Sequence, residues 1–138
     1  MRRTALKTLA TLGAATMLNP AKAQGVMSEP RLLGSWVSDK EKTLALWRFR
    51  PNTPVETQER VAALFGKLRL SFSAGEVRAL TGTHETVKPY RVVAADFRSV
   101  VIEYQADGRS LLEQLFFEGE YVYKFAGYNI EYFRRTEA

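Results

Sequence analysis

The stretch Leu32-Leu33-Gly34-Ser35-Trp36 and its counterpart near the other end, Glu131-Tyr132-Phe133-Arg134-Arg135, decide how this chain is read. The first reads as the opening strand of a small antiparallel barrel, spanning Leu32 to Val37. The second reads as the strand that closes against it. Between them the period is two. Leu68, Leu70 and Phe72 alternate with Arg69, Ser71 and Ser73, and Ala74-Gly75 turns into Val77–Thr81. Further β-prone runs follow at Tyr90–Ala95, Ser99–Tyr104, Leu111–Phe117, Tyr121–Phe125 and Ile130–Arg135. Their separators are a break at Asp96, the Asp107-Gly108 turn signal, Glu118-Gly119 and Gly127-Tyr128-Asn129. Gly82 to Lys88 reads as a polar connection. The count is eight short strands, which can close on themselves and remove exposed edges.

Two helices are predicted between the first and second strands. Ser38-Asp39-Lys40-Glu41 fits a capping box and predicts a helix from Asp39 to about Phe49, stopped by Pro51. A strand over Thr43–Phe49 is the competing reading. Thr53-Pro54-Val55-Glu56 places an N-cap, a first-turn Pro and an acidic third residue. Val61, Leu64 and Phe65 then share a helical face, and Gly66 stands at the C-terminal cap. The predicted class is therefore mostly β with an α component: an eight-stranded antiparallel up-and-down barrel with a helix pair after its first strand. An open sheet wrapped on the helices, as in cystatin-like or NTF2-like folds, is the alternative. An eight-stranded barrel has an interior just wide enough for side chains or one small ligand.

Gly34-Ser35-Trp36 resembles the Gly-x-Trp signature on the first strand of lipocalins and related calycins. The resemblance implies that Trp36 closes one end of the barrel and that Arg134 or Arg135 packs across it. A guanidinium over an indole face gains a cation–π contact of about 1–2 kcal/mol when desolvated. The helix pair is similar to the lid of fatty-acid-binding proteins, another calycin branch. The lipocalin motif around a Thr-Asp-Tyr turn is absent. The chain also resembles small bacterial exported lipocalin-like proteins, which implies a fold and no activity.

Composition narrows the functions. The 138 residues suit one domain, and the absence of cysteine excludes disulfides, thiolate metal sites and a cysteine nucleophile. The net charge of +5 is concentrated at the N-terminus. Arg2, Arg3, Lys7 and Lys22 precede any acidic residue, and without them 16 basic residues face 15 acidic ones. A body so near neutrality is not expected to bind nucleic acid.

Residues 1–23 read as a signal peptide: a basic n-region, the mildly apolar Leu9–Leu18, the Asn19-Pro20 break and an Ala21-Lys22-Ala23 cleavage site before Gln24. Arg2-Arg3-Thr4-Ala5-Leu6-Lys7 also resembles a twin-arginine export signal. The apolar run is too short to span a bilayer. Residues 24–30 read as a flexible leader and 31–138 as the barrel domain, periplasmic or secreted and with no membrane span after cleavage.

Catalytic patterns are lacking. His84 is the only histidine, so Thr83-His84-Glu85 falls short of a zinc ligand set and of a triad. No nucleophile elbow, P-loop or dinucleotide fingerprint is present. Glu103 and Glu113 alternate with apolar neighbours and are assigned to a solvated outer face. No cofactor or metal is expected. The aromatics give the candidate interior wall: Phe72, Tyr90, Tyr104, Phe117, Tyr121, Tyr123 and Tyr132, with Phe125 on the same phase. Simple core packing is the favoured explanation in so small a barrel, and a pocket whose phenol hydroxyls orient a mostly apolar ligand is the functional one. Arg69, Arg91 or Lys124 would meet a ligand carboxylate only if its strand face turned inward. The expected function is a non-catalytic barrel for a small apolar or amphipathic ligand, held between the aromatic wall and the helical lid. The alternative is a protein-interaction module, an inhibitor or assembly accessory, probing with the Gly82–Lys88 loop.

Overall fold

A computed structural model describes residues 28–136. The predicted signal peptide and the first part of the leader lie outside the described residues. Eight antiparallel strands close into a barrel in sequence order. They are β1 Gly34–Ser38, β2 Arg69–Phe72, β3 Glu76–Thr81, β4 His84–Ala95, β5 Ser99–Ala106, β6 Arg109–Glu118, β7 Tyr121–Ala126 and β8 Asn129–Thr136. The helices α1 Lys40–Ala45 and α2 Val55–Ala62 lie between β1 and β2. Closure joins the two stretches that open the sequence reading: β1 pairs with β8 through Trp36↔Arg135 and Val37↔Arg134. No helix among the described residues is long and apolar enough to cross a membrane.

Several boundaries differ from expectation, each for a local reason. The chain at Leu32 is not strand. Leu32 and Leu33 donate to the carbonyls of Glu29 and Pro30 in a turn that folds under the barrel. The leader expected through residue 30 therefore ends earlier: Glu29 is buried and its carboxylate pairs with Arg31 at 2.7 Å. The first helix is capped by Asp39, whose Oδ1 accepts the Lys42 N–H at 2.9 Å; Ser38, the expected cap, instead accepts from Gly66 N–H. It stops at Ala45 rather than about Phe49. Asn129 holds the next turn open, accepting from Arg48 N–H and donating to Arg48 O at 2.8 and 3.0 Å. Trp47 then packs tilted against Phe65, with ring centroids 4.9 Å apart.

In α2 the N-cap position is Pro54, without a side-chain cap, because Thr53 turns back to Arg50 O. Phe65 is buried, but Leu64 lies 69% exposed, off the face it was expected to share.

The largest difference is the segment 82–88. Only Gly82 and Thr83 turn; β4 starts at His84 and pairs with β3 from Thr81↔His84 to Glu76↔Pro89. The inward face, His84, Thr86 and Lys88, is polar and the outer face carries only Val87 and Pro89 beside Glu85, so no apolar alternation marked it as a strand. No free loop exists there to enter a partner's cleft.

The core fills one half of the barrel. Trp36, Phe133, Val100 and Val122 are almost completely buried, with Val92, Ile102 and Leu115 beside them. Leu32 plugs this end from below the strands, fully buried.

Candidate functional site

The register sorts every strand residue into inside or outside. On β7, Val122 faces the core and pairs with Phe117 on one side and Phe133 on the other. Its phase-mate Lys124 therefore also points inward, opposite Glu131. Tyr121, Tyr123 and Phe125 take the other face, and Tyr132, paired with Tyr123, goes with them. This corrects the expected interior wall at three positions. Tyr121, Tyr123 and Tyr132 form an outer aromatic cluster, with Tyr123 stacked on Phe116 at 5.1 Å. The Lys42 ammonium from α1 sits over the rings of Tyr121 and Tyr132 at 4.5 and 4.6 Å. Thr43 on the same helix accepts the Tyr132 N–H, which β1 is too short to reach. Tyr132 is buried by this helix rather than by the barrel interior.

Phe72, Tyr90, Tyr104 and Phe117 do point inward, with different duties. Tyr90 packs edge-on against Phe72 at 5.5 Å and its hydroxyl donates to Ser73 O at 2.6 Å. Phe117 lies under the Arg31 guanidinium at 4.4 Å. Only Phe72 and Tyr104 border open space.

That space is a cavity of about 160 Å³ inside the other half of the barrel. Its apolar wall is Leu70, Phe72, Val77, Ala79, Ile102 and Leu115, and its polar lining is Thr86, Lys88, Tyr104, Glu113 and Lys124. No residue of either helix borders it, so the helices do not lid it; α1 flanks β8 instead. Burial, reinforced by the Glu113 charge and opposed by Lys124, pushes the Tyr104 phenol up, so this hydroxyl stays a neutral donor.

The two acidic residues assigned outside separate. Glu103 is outside, bonded to Arg91 at 2.7 Å and to Ser110. Glu113, opposite Ile102 on β5, is inside and meets Lys124 at 3.2 Å. The β6–β7 ladder has only three pairs, ending at Phe116↔Tyr123, and the Glu113–Lys124 ion pair bridges the strands beyond it. Glu131 completes this interior group. Burial raises its pKa, while Lys124 and a bond from Ser38 counteract the rise. Of the three cations considered for a ligand carboxylate, Arg69 and Arg91 are exposed on the outer face and Lys124 turns inward. The sequence reading missed Thr86 and Lys88 because it placed them in a loop. Extending the phase of Tyr90 and Val92 backwards by twos would have found both.

The opposite end is sealed. The Arg135 guanidinium lies 4.2 Å from the Trp36 ring centroid, as the resemblance implied, and donates to Leu33 O and Arg31 O at 2.8 and 2.7 Å. Gly34 makes this possible: its φ is +116°, and a Cβ there would stand 2.8 Å from Arg135 Nη1. Trp36 Nε1 donates to Leu32 O at 2.9 Å. Arg134, the other candidate, points out toward Asp39 at 3.7 Å. His84 is exposed, and no cluster of metal-ligating side chains exists among the described residues. The closed eight-stranded barrel is compatible with a lipocalin-like fold, yet no family model, curated protein or solved structure matches the chain.

Proposed function

We propose that this chain is an exported, non-catalytic barrel that binds a small apolar or amphipathic molecule. The observation that carries the reading is the cavity: an apolar wall, a few polar groups and about 160 Å³ beside a core of buried side chains. Binding would be driven by apolar burial, at roughly 25 cal/mol per Å² removed from water. A cavity of this size suits a molecule near a single six-membered ring, since an engineered apolar cavity of about 150 Å³ takes up benzene. Export rests on the pattern of residues 1–23.

Native mass spectrometry of the protein, purified gently after export from its own host, tests the reading. An added mass that leaves on denaturation, and that is lost when Ala79→Leu fills the cavity, is the expected result. A clean apo mass, with no uptake of single-ring compounds, counts against it.

A protein-interaction module is the second reading, now favoured by a different surface from the one first expected. Phe125 is 57% exposed beside the stacked Phe116–Tyr123 pair, and Tyr128 and Leu46, 65% and 66% exposed, border a shared surface depression. Loss of a captured partner on Phe125→Asp would support it; unchanged capture would remove it.

A further inference from the structure

The ligand-binding reading leaves the chemistry of the ligand open, and the polar side of the cavity narrows it. Thr86 and Lys88 line it from β4 and Tyr104 from β5. Among the described residues, no side-chain hydrogen bond engages the Thr86 hydroxyl, the Lys88 ammonium or the Tyr104 hydroxyl. No carboxylate lies within ion-pair reach of Lys88 either. The neighbouring polar groups behave otherwise: Tyr90 has Ser73 O, and Lys124 has Glu113. The donors left over therefore share one wall. Thr86 is exposed and Lys88 half-buried, which puts them at the mouth, with Tyr104 half-buried beside them. The Lys88 ammonium stands 5.5 Å from the centroid of the Tyr104 ring, a contact that holds the charge at the cavity rim.

The charge balance gives the sign of the ligand. Lys124 meets Glu113 at 3.2 Å and also neighbours Glu131, which does not border the cavity, so this interior group brings no surplus positive charge to it. Lys88 is the cavity cation without a counter-ion among the described residues. Resting on the ligand-binding reading, we propose that the cavity takes a compact carboxylate. Its carboxylate would accept from Lys88, Thr86 and Tyr104, and its ring or short branched body would pack on Leu70, Phe72, Ile102 and Leu115. Charge-assisted bonds of this kind are the strong ones, and a site built to make them discriminates against a neutral isostere. The volume of about 160 Å³ sets the size limit and excludes a long acyl chain.

Calorimetric titration of the purified full chain with benzoate, benzamide, toluene and palmitate tests this. Benzoate is expected to bind at least about ten-fold tighter than benzamide or toluene, a gap that one charge-assisted bond supplies. Lys88→Gln is expected to erase that advantage, so that benzoate binds no tighter than toluene. Should Lys88→Gln not fold, the wild-type protein still reports: benzoate affinity falls with added salt while toluene affinity does not. Toluene bound as tightly as benzoate, or palmitate bound as tightly as either, overturns the carboxylate proposal and leaves the cavity reading standing. Uptake of none of the four overturns both.

Discussion

The two halves of the barrel interior are built from the same strands and obey opposite rules. In the sealed half the described polar side chains are spent on partners. Trp36 Nε1 has Leu32 O, Arg135 has two carbonyls, and Arg31 holds Glu29 and the carbonyls of Asp96 and Phe97. In the cavity half the donors of Thr86, Lys88 and Tyr104 are directed at open space. One end is finished by its own chain. The other is chemically incomplete, and that asymmetry puts the candidate site away from the residues that most resemble a family signature. The Gly-x-Trp stretch maintains the fold; the polar stretch first read as a loop lines the candidate site.

The contrast predicts a graded set of stability effects. Trp36→Ala should be the most damaging, at about 3–5 kcal/mol, since it deletes a fully packed aromatic that the sealed end cannot collapse onto. Leu70→Ala on the cavity wall should cost less, about 1–2 kcal/mol, because Leu70 is partly buried and already borders open space. Urea unfolding of both variants measures the difference. Equal losses would mean that the two halves are packed alike.

Arg135→Ala comes next. It removes a cation–π contact and leaves two carbonyls to water, for about 1–2 kcal/mol given that the side chain is largely exposed. Arg134→Ala should stay within about 0.5 kcal/mol, the usual worth of an exposed ion pair. Only an orientation difference separates these neighbours, so a reversed order would show that β8 runs in the other phase.

What could be read from the sequence follows the same divide. The sealed end was legible because it needs particular residues: a glycine where Arg135 passes, an indole for it to cover, and strands whose apolar alternation faces a dry core. The Asp107-Gly108 turn was legible because both residues sit at positive φ, 53° and 75°. The cavity half was not. There the inward residues of β4 and β7 include Thr86, Lys88 and Lys124, while the aromatics of β7 face outward, Tyr121 beneath Lys42 of α1. A rule that sends aromatics inside picks the wrong phase on β7, and a rule that reads polar runs as loops erases the first residues of β4. Helix α1 was the hidden variable. By covering Tyr132 and supplying Lys42 to the outer rings, it makes an outside face behave like an inside one.

The halves should also answer acid with opposite signs. At the sealed end the Arg31 guanidinium beside Glu29 holds its carboxyl below the usual range. A lowered native pKa contributes stability that is present above the unfolded value, about 4.3, and is lost as pH falls through the native one. Glu29→Gln should therefore destabilise at neutral pH and become neutral in acid. In the cavity half, burial raises Glu131. A raised native pKa gives stability that is full below the unfolded value and disappears as pH rises through the native one. Glu131→Gln should therefore stabilise at neutral pH, with the gain vanishing below about pH 4. Chemical denaturation across pH tests both, and like-signed responses would break the contrast.

The smallest effect is expected at the residue given the largest functional weight. Lys88 has no carboxylate partner among the described residues, and its contact with Tyr104 is long at 5.5 Å. Lys88→Gln should thus shift stability by no more than about 0.5 kcal/mol in either direction. Lys124→Met, three strands around the barrel on β7 and lining the same cavity, should cost more, because it strands the half-buried Glu113 and deprives Glu131 of its neighbouring cation. A cation at a cavity mouth that the fold does not need is free to be kept for a ligand; one that the fold does need explains itself. Finding Lys88 as costly to remove as Lys124 would assign it to structure and take away the main reason for expecting an anion in the cavity.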